Sequence, residues 1–213
     1  MDPSWRNRAL QALAVAVGAL PAASLIVSAL TGGLGANPVE RVTHVTGDWA
    51  LRFLLLSLSV TPVRRLLGWS WAAPLRRTLG LTAFGYACSH FLTYLVLEHF
   101  FDWQLIVEDV LKRRYVTAGF AAFVCLVPLA VTSTRAMIRR LGRRWIPLHR
   151  LVYLAAALGA IHFLWLVKSD LREPLVYAAI LTLLLGLRLG FRLVGPRTRK
   201  PTPKAADSQL SRV

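Results

Sequence analysis

Acidic residues are scarce in this sequence: ten Asp and Glu stand against 26 Lys and Arg, giving a net charge of +16 over 213 residues. Cysteine is rarer still. Cys88 and Cys125 both fall inside apolar segments, where the role expected of them is that of a small buried hydrophobe rather than half of a disulfide or a metal pair. Also missing are a Walker loop, a dinucleotide fingerprint, an HExxH zinc pair and an ordered Ser-His-Asp set, which removes the common nucleotide-binding and hydrolytic chemistries. No internal repeat and no second domain is evident.

Apolar residues are abundant, at 55% of the chain, too many for an ordinary soluble fold. The bilayer is the expected solvent. Six apolar segments predict an all-α integral membrane bundle, with spans at 10–30, 49–67, 75–97, 115–134, 149–168 and 173–194. The first follows Arg6 and Arg8 as a leader peptide would, but its apolar run exceeds the roughly 7–15 residues of such a leader, so an uncleaved helix is expected. The second is the weakest, with Arg52 near one end and a Thr61-Pro62 step; a short, kinked or interfacial helix is the alternative.

Charge placement sets the expected topology. Arg6 and Arg8, then Arg64, Arg65, Arg76 and Arg77, then Arg135, Arg139, Arg140, Arg143, Arg144 and Arg150, and finally the tail from Arg188 onward all fall on one side of the bundle. The opposite loops hold few basic residues and eight of the ten acids. The positive-inside rule then puts both termini in the cytoplasm. On this reading the basic excess reports topology and contact with anionic membrane lipids, and no nucleic-acid partner is expected. The chain divides into a transmembrane domain, 1–195, and a basic cytoplasmic tail, 196–213, rich in Pro, Lys, Arg and Ser and expected to be disordered.

The candidate chemistry rests on histidine. His44 is expected in an external loop and His99 at the outer end of the third span. His90, His149 and His162 fall within or at the edge of spans, where ionisable groups are costly and often functional, and imidazole is an axial ligand of haem iron. An interhelical hydrogen bond is the alternative for each. His90 lies 14 residues beyond Arg76 and His162 lies 13 beyond His149, about 21 Å and about 19.5 Å along a helix. The third and fifth spans run outward together, so His90 and His162 are expected at one depth, able to clamp an iron from both faces. His149 is expected near the cytoplasmic boundary, roughly 140° around an ideal helix from His162. Arg76 stands at its depth and is no usual haem ligand; an inner haem would need another sixth ligand, an open position, or Arg76 paired with a propionate.

At these residues the chain resembles the MsrQ (YedZ) family of haem-binding membrane subunits. The resemblance is carried by VTPVRRLLG (60–68), PLRRTLGLTAFGYACSHFLTY (74–94), RRWIPLHRLVYLAAALGAIHFLWLVKSDLREPLVYA (143–178) and the acidic external loop ending KRRYVTAG (112–119). It implies a ferric reductase and NADPH oxidase type of haem domain in the bacterial inner membrane, with His90, His149 and His162 as metal ligands to one or two haem b groups. The oxidase pattern has a second histidine on the third span, where this chain has Arg76. FMN is implied by the resemblance alone. So is a path of electrons from quinol or a cytosolic flavin reductase to a periplasmic molybdopterin-containing methionine sulfoxide reductase subunit, which makes this chain an electron-transfer subunit rather than the catalytic one. Arg76, Arg77, Arg144 and Arg150 are expected either to frame the electron-entry side, facing flavin phosphate or haem propionates, or only to fix topology. A small transporter with structural histidines and a free-standing haem oxidoreductase are the alternatives.

Overall fold

The computed structural model describes residues 3–194, all of them in helices and their connections. The proposed tail, 196–213, and the boundary at 195 lie outside the described residues. The helices are α1 (Pro3–Leu30), α2 (Pro38–Leu67), α3 (Leu75–Thr93, continued by a π-turn at Tyr94–Glu98), α4 (Trp103–Lys112), α5 (Arg114–Val131), α6 (Arg135–Leu141), α7 (Trp145–Leu148), α8 (Leu151–Leu166) and α9 (Arg172–Leu193). Trp5–Leu30, Ser70–Glu98, Arg114–Val131 and Arg172–Leu193 are long and apolar enough to cross a membrane, and α6–α7 with α8, bent by 52° at their break, pass together as a broken span or a re-entrant loop. The described residues thus hold four such helices, or five with the bent pair, where six were expected. The molecule is an all-α, multi-pass membrane protein.

The main departure from the expected spans is α2. Expected from Trp49, it starts at Pro38, so that His44 lies on a helix and not in a loop, and Arg52 near its middle. The start is written locally: Asn37 accepts from the Glu40 amide at 3.4 Å while its own amide donates to the Glu40 carboxylate at 2.8 Å, and Pro38 occupies the first helical position. Gly68 ends the helix in the left-handed region, φ 71°. Unlike the helices above, α2 is not apolar enough to cross a membrane by composition, and much of it packs on protein. Leu51, Phe53, Leu54, Leu55, Leu58 and Val60 are all buried, most of them in one cluster with Ala83, Tyr86, Ala155, Ala156 and Leu181 from the neighbouring helices.

Two prolines expose how the bundle is tied. Pro21 sits inside α1, and there the Tyr86 hydroxyl of α3 enters the helical ladder, accepting from the Ala22 amide at 3.0 Å and donating to the Gly18 carbonyl at 2.8 Å. Pro62 has no amide to offer the Leu58 carbonyl one turn earlier. That oxygen accepts instead from Arg188 of α9.

The fifth expected span also differs. Instead of one helix from 149, α7 ends at Leu148, His149 and Arg150 form a break, and α8 begins at Leu151. The estimate of 140° between His149 and His162 assumed one straight helix and does not apply. The outer loop holds an unexpected element, α4, capped by Asp102, which accepts from the amides of Gln104 and Leu105 at 3.0 and 3.2 Å. Before it the chain reverses through Phe100 and Phe101, both at positive φ (47° and 61°), a strained conformation for aromatic residues.

Candidate functional site

His90 of α3 and His162 of α8 lie together, ring centres 6.1 Å apart with planes crossed at 74°. Each ring is held by a neighbouring helix in the same way. His90 Nδ1 is 2.9 Å from the Thr43 carbonyl of α2, and His162 Nδ1 is 2.7 Å from the Tyr115 carbonyl of α5. A carbonyl can only accept, so Nδ1 carries the proton in both rings and Nε2 is left with its lone pair. Metal-binding histidines are commonly oriented in this fashion.

Glycine makes the close approach possible. A Cβ at Gly47 would meet the His90 ring at 3.0 Å, and one at Gly119 would meet His162 Nδ1 at 2.7 Å. Each glycine follows its carbonyl partner by one helical turn, and each histidine bond spans 47 positions. The two halves of the site are thus built to one plan. With the structure in hand the sequence also shows it: Pro-Leu-Arg-Arg at 74–77 and His-Phe-Leu at 90–92 recur as Pro-Leu-His-Arg at 147–150 and His-Phe-Leu at 162–164. The expectation of no internal repeat is corrected on this point. Pairing the two segments sets Arg76 opposite His149.

Both histidines line a cavity of about 460 Å³ between α2, α3, α5 and α8. Its floor is apolar, with Leu51, Leu54, Phe123 and Leu126, and α4 closes one side through Ile106 and Val110. Polar groups also line it: Glu40, His44, Glu98, Asp109 and Arg113. His99 is bound to Asp109 at 3.1 Å, and Asp109 also pairs with Arg113 at 3.1 Å. The Tyr94 hydroxyl on the cavity wall is buried without a hydrogen-bond partner.

Among the described residues no group of three or more His, Cys, Asp or Glu is placed to hold a metal ion. Two imidazoles with free Nε2 lone pairs, their ring centres 6.1 Å apart, are the donor set that would suit a haem iron, and His90 and His162 are the residues that would hold it. The unpaired Tyr94 hydroxyl is a further sign of a polar ligand group in the cavity.

His149 is elsewhere. Its ring stacks on Trp145 at 3.9 Å and its Nε2 lies 3.0 Å from Thr132 Oγ1. Thr132 donates its single hydroxyl proton to the Pro128 carbonyl at 2.6 Å, so it accepts from Nε2–H, and the free nitrogen of His149 is Nδ1. Trp145 also donates to the Thr132 carbonyl at 3.0 Å. His149 is therefore set oppositely to the other two. Arg76, Arg77, Arg144 and Arg150 are exposed: Arg76 is within electrostatic reach of His149, whereas Arg77 lines a groove against α1 with Gln11 and Val15. Sequence reasoning missed Gly47, Gly119, Tyr94 and Arg188; only the last had a visible signal, a lone cation in the apolar run 181–191.

Known proteins match over the same region. The family described as ferric reductase like transmembrane component matches residues 46–160, which takes in Gly47, His90, Gly119 and His149 and stops just short of His162. A protein-methionine-sulfoxide reductase heme-binding subunit MsrQ from Rhodospirillum rubrum is 57% identical over 159 residues, covering 74% of this chain and 76% of the relative. Proteins of the same name from Herminiimonas arsenicoxydans and Azospira oryzae are 51% and 48% identical, covering 80% and 88% of this chain and 79% and 82% of their own. No solved structure matches the chain. At this identity, over most of both chains, the protein belongs to the MsrQ family, within the ferric reductase like transmembrane proteins.

Proposed function

We propose that this chain is the electron-carrying membrane subunit of a methionine sulfoxide reductase system in the bacterial inner membrane, with haem b held between His90 and His162. The observation that carries the reading is the pair of imidazoles with their protons fixed on Nδ1 by the Thr43 and Tyr115 carbonyls, which leaves two Nε2 lone pairs for one iron. When bound, haem supplies reversible one-electron chemistry. The protein's part is to fix both rings against glycine backbone, to surround the macrocycle with Leu51, Leu54, Phe123 and Leu126 so that water is excluded, and to present polar groups at the outer end of the cavity.

In this reading electrons enter on the basic, cytoplasmic side from quinol or a cytosolic flavin reductase and leave to a periplasmic molybdopterin subunit; the relatives' name supports a haem-binding subunit of a methionine sulfoxide reductase, and the charge asymmetry supports the sidedness. A second haem or FMN belongs on the inner side. There His149 can offer Nδ1, or Nε2 after releasing Thr132, with Arg76 beside it; His149 that only braces the α7–α8 break is the competing role.

The test is transfer of electrons. Chemically reduced protein, mixed with the periplasmic subunit and a methionine sulfoxide peptide, is expected to reoxidise its haem and form methionine, and to remain reduced when either component is omitted. Haem that stays reduced in the complete mixture contradicts the proposal. A protein that purifies without a reducible Soret band points instead to the transporter alternative.

A further inference from the structure

Among the described residues Arg188 is a cation without a counter-ion. It stands in the apolar run of α9 and reaches inward, where Nη1 donates to the Tyr153 hydroxyl at 2.8 Å, Nη2 donates to the Leu58 carbonyl, and Nε–H is buried with no partner. Its guanidinium lies 5.3 Å from the Tyr153 ring centre. No carboxylate among the described residues is within ion-pair distance of it, and the charges that act on it, those of Arg76 and Arg192, are of the same sign.

The hydrogen bond to Leu58 has a clear local cause, the missing amide of Pro62. It does not explain the charge. A neutral amide side chain could cap a carbonyl and meet a tyrosine hydroxyl, while a guanidinium taken partly out of water inside the bundle is costly unless an opposite charge offsets it. One spare N–H, excess positive charge from two helices and an aromatic wall are the features of an oxyanion site.

We propose that Arg188, with Arg76 and Tyr153, binds an oxyanion between α2, α8 and α9, a phosphate or carboxylate carried either by a cofactor of the inner half or by an anionic lipid. The proposal stands apart from the assignment of haem to His90 and His162, because none of its three residues lines that cavity.

The experiment compares the full-length wild type with Arg188→Gln and with Pro62→Ala/Arg188→Gln. The double variant returns a helical donor to the Leu58 carbonyl, so it removes the structural need for Arg188 and remains informative if the single variant does not fold. Three readouts separate the sources: FMN affinity by flavin fluorescence, the rise in thermal midpoint on moving from phosphatidylcholine to phosphatidylglycerol vesicles, and haem bound per chain. The expected result is that the double variant recovers the wild-type thermal midpoint in phosphatidylcholine yet loses one of these responses, by roughly tenfold in affinity for FMN, by loss of the lipid-dependent rise, or by one haem. Which response fails identifies the anion as flavin phosphate, lipid phosphate or haem carboxylate. A double variant that matches wild type in all three readouts, or a wild type that responds to none, overturns the proposal.

Discussion

The proton on each site histidine is placed by a backbone carbonyl, and the ring is seated on a glycine; in the proposed site these two contacts make an ordinary imidazole an aimed ligand. Gly119 is the tighter seat, with 2.7 Å from a Cβ to His162 Nδ1 against 3.0 Å at Gly47. Gly119→Ala is therefore expected to weaken haem retention by about tenfold or more, and Gly47→Ala by less, with the haem-to-protein ratio after dialysis against apomyoglobin as the measure; equal retention in both variants and the wild type contradicts this seating. His149 gives a second contrast. If it holds an inner cofactor, His149→Ala loses haem or FMN while keeping the spectrum of the outer pair, and if it only braces Thr132 and Trp145 the variant keeps all of both, so haem and flavin are to be quantified separately. The histidines themselves were legible in the sequence because a titratable residue stands out in an apolar run. Their partners were not, since a main-chain oxygen leaves no mark on residue type, and a glycine in a membrane helix has many uses.

Among the helices, α2 shows how packing on protein lets a long helix carry charge. A helix facing lipid must be apolar all along, but α2 packs its Leu and Phe residues into the shared cluster, so Asp48 can pair with Arg52 at 3.7 Å and Arg52 can donate to Tyr177 at 2.6 Å. Apolar counting accordingly placed its end at Gly68 well and its start eleven residues late. The α7–α8 break was missed for a different reason: Pro147 signals a helix start as readily as a stop, and only tertiary contacts from Thr132 and Trp145 select the geometry at His149. At α1 the critical contact is the Tyr86 hydroxyl in the ladder at Pro21. Tyr86→Phe is expected to cost about 1–3 kcal/mol by leaving the Ala22 amide and Gly18 carbonyl unpaired, seen as a lower thermal midpoint with haem content unchanged. A midpoint equal to wild type would show that α1 closes its own ladder without help.

For the whole molecule, the bundle supplies two sides of opposite character. Basic residues frame α6, α7 and the loop before α3, while Glu40, Glu98, Glu108 and Asp109 cluster around the other end of the cavity with α4. The positive-inside rule puts the basic side in the cytoplasm, so reporter fusions at residue 141 are expected to be active as cytoplasmic fluorescent protein and inactive as periplasmic phosphatase, with the reverse after residue 102; the opposite pattern inverts the direction of electron flow proposed above. All-α architecture and the membrane setting were readable from composition, because the bilayer imposes them directly. The near-repeat of the two half-sites was not, because it survives in only a few residues around each histidine.

Haem bound per chain, measured by pyridine haemochrome on wild type, His90→Ala and His162→Ala with correct folding confirmed by gel filtration, bears most closely on the pairing of His90 and His162. Each single substitution is expected to remove the same low-spin haem and its share of the reduced-minus-oxidised spectrum, because in the proposed site both imidazoles serve one iron. Full haem content with an unaltered low-spin spectrum in both variants would contradict the site.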